Sequence, residues 1–430
     1  MVRIAPFAVE EWMDEYENTP GCLNIAETCA ASVSIDELVA LARSPNVKNA
    51  QGEEGKAVPG PVEAAFTSTK LTYGAIRGSE ALRRNVASLH ETELPSATTT
   101  TPLQTLSPDD ILITQGAIAA NFLALYTLVG PGDHVICVYP TYQQLYSVPA
   151  SLGAEVSLWK LKAENAFIPD VAELEALVKP NTKMIILNNP NNPTGAPIPL
   201  GTLTEIVAFA RVRNITILSD EVYRPLFHSL PSDDTPPPPG ITALGYQNVI
   251  ATGSMSKAYA LAGLRIGWLA TPSRALLDAC ASARHYTTIS VSALDDRVAS
   301  YALSPAVRPA LLRRNLDLAR TNRALLAGFV GRHAAVCDWV APLAGTTAFV
   351  RFRHRDGDGG GTGRGGRPVD DVAFCRDVLD RSGVFFVPGS RCFGDGSDFA
   401  GYVRIGYVSS TQVLQEALGK LDAYIEAHLS

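Results

Sequence analysis

The middle of the chain repeats one pattern: a short, predominantly apolar run, a turn, then a helix-length segment. The runs fall at residues 111–113, 134–138, 183–187, 215–218, 249–252 and 264–270. A strand with one wet face alternates apolar and polar residues. These runs do not, so they predict strands covered on both faces. Such strands separated by helices imply an α/β fold with a mostly parallel, doubly wound sheet and right-handed crossovers. The segment opened by Gly116 and running to 129 is one predicted helix. With 430 residues, the chain exceeds what one core supports. The reading is an N-terminal segment over 1–60 that packs with the small domain or a partner subunit, a large domain over 61–300, and a smaller α+β domain over 301–430. In that last part residues 402–408 alternate, which predicts a strand with one more polar face. Ser409-Ser410-Thr411-Gln412 offers a capping box for a closing helix that ends near 429.

Composition excludes several classes. A formal charge of −7 without a Lys/Arg cluster argues against a nucleic-acid surface. The seven cysteines are odd in number, scattered, and form no Cys-x-x-Cys pair, which reads as reduced thiols in the cytosol. They share no ligand spacing with the seven histidines, so no metal site is expected. The N-terminus turns acidic at Glu10-Glu11 with no long apolar region, unlike a signal peptide. The longest apolar stretch, 117–129, contains Asn121 and Thr127 and is too short for a bilayer. A cytoplasmic protein with no membrane partner is the expectation. Pro236 to Pro239, the glycine-rich run at 356–366 and Thr98 to Thr101 read as surface loops. The glycine-rich run lacks Gly-Lys-Ser/Thr and is not a P-loop.

The chemistry gathers after the apolar runs. Gly253-Ser254-Met255-Ser256-Lys257 follows 249–252, with Arg265 eight residues on. A primary amine at a strand end suits an imine with a carbonyl cofactor, and hydroxyls with a guanidinium suit a phosphate. A lone lysine is more often a solvated charge. Gly116-Ala117-Ile118 opens a helix after a strand, where free N–H groups and the dipole form an anion site. Tyr142 lies beyond a strand end, where an aromatic can stack on a planar ring or simply pack at the rim. In the turn cluster Asn188-Asn189-Pro190-Asn191-Asn192-Pro193, Asn192 can present its amide to a phenolate oxygen. Asp220 ends the run at 215–218, and a carboxylate there calls for a cation such as a protonated pyridine nitrogen. Tyr223, three residues on, can donate to the same ring. Open α/β sheets bind ligands at the carboxyl ends of their strands. The combined inventory describes pyridoxal 5′-phosphate.

With these motifs in this order, over roughly residues 20 to 425, the chain resembles the class I/II aminotransferases, the fold type I pyridoxal-phosphate enzymes. Tyr73 in Leu71-Thr72-Tyr73-Gly74 and Arg404 complete the match. The resemblance implies that Lys257 carries the cofactor and that Ser254, Ser256, Arg265 and the backbone at 116–118 hold its phosphate. It implies that Tyr73 reaches the phosphate of the other subunit of a homodimer. It implies that Arg404 takes the substrate α-carboxylate as a bidentate pair. Ile118 departs from the pattern, which often has a hydroxyl there. The lysine, its pKa lowered by burial and nearby cations, would take the Cα proton, giving transamination of an L-amino acid to a 2-oxo acid.

Other outcomes stay open. Asn24-Ile25-Ala26-Glu27 resembles a stretch of aminocyclopropane-carboxylate synthases, and the N-terminal region is similar to capreomycidine synthase-like cyclases. Ala26 and Glu27 thereby become substrate-binding candidates, Glu27 as an added acid/base or amine ligand or else a solvated loop carboxylate. A lyase or cyclase is the alternative within the family. Ser254-Met255-Ser256-Lys257 also satisfies Ser-x-x-Lys of serine acyl-transferases, but that signature's companion motifs are absent. A non-catalytic ligand-sensing module is a distant reading, disfavoured by the intact lysine, aspartate and arginine. Arg284, His285 and Tyr286 are candidates for contacting the substrate side chain.

Overall fold

The structure, a computed structural model, describes residues 4–42, 70–91, 105–231, 235–355 and 366–429. Thr98 to Thr101 and nearly all of the glycine-rich run at 356–366 lie outside the described residues. Thirteen strands are present among them. They are β1 (Leu23–Asn24), β2 (Ile111–Thr114), β3 (His134–Tyr139), β4 (Glu155–Lys160), β5 (Thr182–Asn188), β6 (Thr216–Asp220) and β7 (Val249–Ser254), then β8 (Gly267–Ala270), β9 (Cys337–Trp339), β10 (Thr347–Phe352), β11 (Val384–Phe385), β12 (Val387–Pro388) and β13 (Tyr402–Gly406). No helix among the described residues is long and apolar enough to cross a membrane.

A seven-stranded sheet in the order β2-β8-β7-β6-β5-β3-β4 forms the centre. Only β8 runs against its neighbours, β2 and β7; the other pairings are parallel. Successive residues of a strand point to opposite faces. On β5, Ile185 and Leu187 enter one buried cluster and Met184 and Ile186 the other. Both sides of the strand therefore lose water over residues 184–187, which is why those four are all apolar. The register sets the site. Asn188 pairs with Asp220, and Asp220 with Thr252, so β5 and β6 end level and β7 runs beside them two residues further, to Ser254.

A second sheet, β12-β13-β10-β9, is antiparallel. Chain outside either core ties to it. Helix α1 (Ala8–Tyr16) buries Val9 and Trp12, and the Trp12 indole N–H donates to the Phe386 carbonyl at 3.1 Å. Strand β1 pairs in parallel with β11. Helix α2 (Gly116–Leu128) packs against β7 and β8 of the large sheet. Helix α3 (Arg308–Arg332) packs on the closing helix α4 (Thr411–His428).

Several local expectations need correction. The strand expected from 264 begins at Gly267, because a 3₁₀ turn over Ala262–Leu264 and a left-handed Arg265 (φ 50°) come first. The N-cap of α4 is Ser410, whose side chain accepts from the Val413 N–H, one residue later than the proposed box. Strand β13 has no exposed face, since residues 403–408 are all buried. Its polar member Arg404 faces an internal cavity instead. Pro238 and Pro239 are buried rather than on the surface, and the Pro238 carbonyl accepts from Arg224 at 2.7 Å.

Candidate active site

A cavity of about 550 Å³ opens at the carboxyl ends of β5, β6 and β7. Its lining brings together Ala26, Glu27, Ala117, Ile118, Tyr142, Asn192, Asp220, Tyr223, Ser254, Ser256, Lys257, Arg265 and Arg404, almost every residue singled out in the sequence. Tyr73 is apart, 86% exposed at the surface of this chain. Arg284, His285 and Tyr286 do not line this cavity. The Arg284 guanidinium donates to the Ile76 carbonyl, and Tyr286 is exposed beside a separate apolar cleft.

Asp220 lies on the floor. Its carboxylate accepts from the Asn121 amide at 2.8 Å and the Val222 N–H at 3.2 Å. Thr252 in turn donates to the Asn121 carbonyl oxygen at 2.6 Å, which fixes which end of the amide faces Asp220. Burial pushes the Asp220 carboxyl up to about 6, with the Asn121 bond opposing. No ion pair reaches it among the described residues. Asn121 and Thr252 were missed in the sequence. Asn121 stands out there as an amide inside an apolar helix, and a buried amide needs partners.

Lys257 follows β7. Its Nζ donates to Thr28 Oγ1 at 2.6 Å and to Cys29 Sγ at 3.4 Å, and lies 3.8 Å from Glu27 Oε1. The expected fall in its pKa is not found; the amine is raised. Burial acts to lower it, and the Glu27 carboxylate, the neighbour that is ionised near neutral pH, opposes that. The Cys29 thiol is itself pushed up to about 11 by burial, and burial also raises the Tyr223 phenol. Both hold their protons near neutral pH, so Glu27 is the anion facing the amine. Burial opposes ionisation of Glu27, yet Lys257 and the N–H groups of Thr28 and Cys29, at 2.6 and 2.8 Å, hold its carboxyl down at about 2. Thr28 and Cys29 escaped the sequence reading because nothing local links them to a residue 228 positions away.

The phosphate-type corner is shaped by glycine. Gly116 (φ +79°) starts α2 with no side-chain cap, leaving its first N–H groups free. A Cβ on Gly116 would stand 3.2 Å from Arg265 Nη2, and one on Gly267 would strike the Gly116–Ala117 backbone at 2.3–2.4 Å. Helix start and guanidinium thus meet only because both positions are bare. Ser254 Oγ accepts from the Ser256 N–H at 3.1 Å, holding this turn in shape.

Arg404 is 4% exposed. Its Nη2 donates to the Ala26 carbonyl at 3.0 Å and its Nη1 to Asn192 Oδ1 at 3.5 Å, while Nε has no partner among the described residues. The Asn192 N–H donates to Asn188 Oδ1 at 2.7 Å, which pins the turn. The Tyr142 hydroxyl donates to Glu10 Oε1 at 2.7 Å, and its ring leans on Phe7.

A buried carboxylate without a cation, an amine at a strand end and a bare helix start beside a guanidinium define a fold type I pyridoxal-phosphate enzyme. Asp220 fits the protonated ring nitrogen, Lys257 the aldehyde carbon, and Gly116 to Ile118 with Arg265 the phosphate. The chain belongs to the aminotransferase class I and II family, whose model matches residues 40–421. It is 32% identical to capreomycidine synthase of Streptomyces vinaceus over 74% of this chain and 75% of that protein. It is 27% identical to an aspartate aminotransferase of Thermotoga maritima over 75% of this chain and 77% of the relative. A pyridoxal-phosphate-dependent aminotransferase of Streptococcus suis superposes with a TM-score of 0.82 at 36% identity, covering 99% of this chain and 98% of the other.

Proposed function

We propose that this enzyme transaminates an L-amino acid to its 2-oxo acid. The observation that carries the reading is one cavity holding the Lys257 amine, the buried Asp220 carboxylate and the half-satisfied Arg404 guanidinium. When bound, the cofactor ring accepts the electron pair left on the substrate's α-carbon once its proton departs. Asp220, held by Asn121, keeps a negative charge where the ring nitrogen needs its proton. Arg404 binds the α-carboxylate with its free Nε and an adjacent Nη, and this orients the Cα–H bond. Lys257 would be the base that takes the Cα proton and, once protonated, the acid that gives it back to complete the transfer. Glu27 and Thr28 position that amine, and Tyr223 and Asn192 supply donors to the ring's oxygen. For Lys257 to act as a base it must shed a proton, and Glu27 opposes that until substrate changes the charge around it.

One observation favours a second outcome within the same chemistry. Glu27 stands 3.8 Å from the amine, a place from which a carboxylate can move a further proton. Together with the likeness to capreomycidine synthase, this supports ring formation or elimination after the first proton transfer. Stopped-flow spectra with a panel of amino acids decide between them. Transamination accumulates the amine form of the cofactor and a 2-oxo acid. A cyclic product without that form establishes the second outcome. Lys257→Ala should lose the visible absorbance of the bound cofactor and slow turnover by at least about 10²–10⁴-fold; a variant keeping both removes the whole reading.

The enzyme is proposed to be a homodimer with shared sites. On α2, Ile118, Phe122 and Tyr126 form an exposed apolar stripe at four-residue spacing, and Ile118 also lines the cavity. Tyr73 and Tyr286 add exposed rings. Light scattering should give twice the 45.8 kDa chain mass; a monomer retaining full activity refutes the shared site.

A further inference from the structure

We infer that the substrate is an α-amino acid whose side chain ends in a cation, with Arg404 taking its carboxylate and a set of acidic side chains at the cavity mouth taking the far end. This rests on the reading of the cavity as the site of amino-acid chemistry and adds the substrate class.

Glu10, Asp14, Glu17 and Glu27 all line the cavity. The first three are spaced i, i+4 and i+7 along α1 and its C-cap, which places them on one helix face. Among the described residues none of the three has a lysine or arginine within ion-pair distance. Glu15, which does not line the cavity, does: it lies 3.9 Å from Arg391. Burial first, then Glu27, Glu10 and Asp14, raise the Glu17 carboxyl, so these charges sit near enough to repel one another. Glu10, in the first turn, is favoured by the helix dipole and accepts from the Tyr142 hydroxyl at 2.7 Å, but the helix does not gain from the other two. Asp14 and Glu17 stand at its C-terminal end, where the dipole disfavours anions, and no basic residue stands in the last turn. Local stability therefore gives no reason for Asp14 and Glu17. A cation entering the cavity does.

A second, independent observation points to a ligand in the same space. Arg404 is buried, lines the cavity and keeps an unpartnered Nε. The other cations of the lining have partners: Lys257 faces Glu27, and Arg265 donates to the Ala262 carbonyl at 2.9 Å. A dicarboxylate would place its second carboxylate against four acids. An apolar side chain would leave Asp14 and Glu17 without a cation. A guanidinium or ammonium satisfies both ends.

The test uses the holoenzyme and its cofactor absorbance. L-arginine, L-ornithine and L-lysine are titrated beside L-leucine, L-phenylalanine and L-aspartate. The cationic amino acids should half-saturate the spectral change at roughly tenfold lower concentration or better. That advantage should shrink in about 0.5 M salt. The double variant Asp14→Asn, Glu17→Gln should cut the ratio of neutral to cationic KM by roughly five- to tenfold. A holoenzyme whose band responds best to neutral or acidic amino acids, or that no cationic amino acid moves, overturns this inference and leaves the reading of Lys257 standing. So does a double variant with an unchanged KM ratio. A protein in which Lys257→Ala leaves the band intact overturns both.

Discussion

The floor of the cavity and its mouth differ in how their polar groups are held. On the floor, three adjacent strand ends present Asn188, Asp220 and Thr252, and nearly every polar atom there has a partner. Fixed in this way, the floor can hold a charge or move a proton without first reorganising. The mouth is built from α1 and residues 26–29, chain that belongs to neither sheet's core strands. Among the described residues its carboxylates Glu10, Asp14 and Glu17 have no cationic partners, and they reach the site only because Trp12 and β1 anchor this segment to β11 and its neighbours. The contrast assigns the common chemistry to the floor and the choice of substrate to the mouth. Arg404 links the two, since it grips Asn192 on one side and Ala26 on the other.

Arg404→Lys should have the largest effect among variants that probe this division. It keeps the charge but loses the planar fork, so KM for every amino acid should rise by roughly 10²-fold with a smaller change in kcat. A change confined to one side-chain class would instead place Arg404 in the mouth.

Asp220→Asn tests the floor through stability. The carboxyl is raised from its ordinary 3.8 to about 6, so the folded protein binds this proton more tightly than the unfolded chain does. In the cofactor-free enzyme its contribution therefore becomes unfavourable as pH rises from about 4 through 6. The variant should be more stable than the parent by about 1–3 kcal/mol at pH 7 and nearly equal to it near pH 4, while being catalytically crippled. Urea unfolding at the two pH values measures this. Equal stability at both would mean the floor carries no buried charge.

Glu27→Gln should be the mildest. It removes the anion facing Lys257, so the amine should release its proton at lower pH and the ascending limb of the activity profile should move to lower pH. If the enzyme transaminates, kcat should change by less than about tenfold; if Glu27 moves a proton in ring formation, product should be lost altogether.

The strand pattern and the motifs after each run were legible because they are local. A strand apolar on both sides announces that both faces are covered, and a turn rich in Asn, Gly or Ser after it announces a strand end. Lys257, Asp220, Asn192 and Arg265 were therefore visible from spacing and chemistry alone. Asn121 was visible only as an oddity, an amide in an apolar helix. Thr28 and Cys29 carried no signal, since their role arises when a segment near the N-terminus is laid against the end of β7.

By itself the sequence determined which groups would stand at strand ends, because a period of two and the cost of burying unpaired polar atoms act within a few residues. Only the tertiary structure decided how those groups are charged and what surrounds them. Whether Lys257 is raised or lowered depends on Glu27, and whether α1 turns its acids inward depends on where Trp12 finds its pocket. Both are set by contacts between residues more than 200 positions apart, and electrostatics follows distance in space rather than distance along the chain.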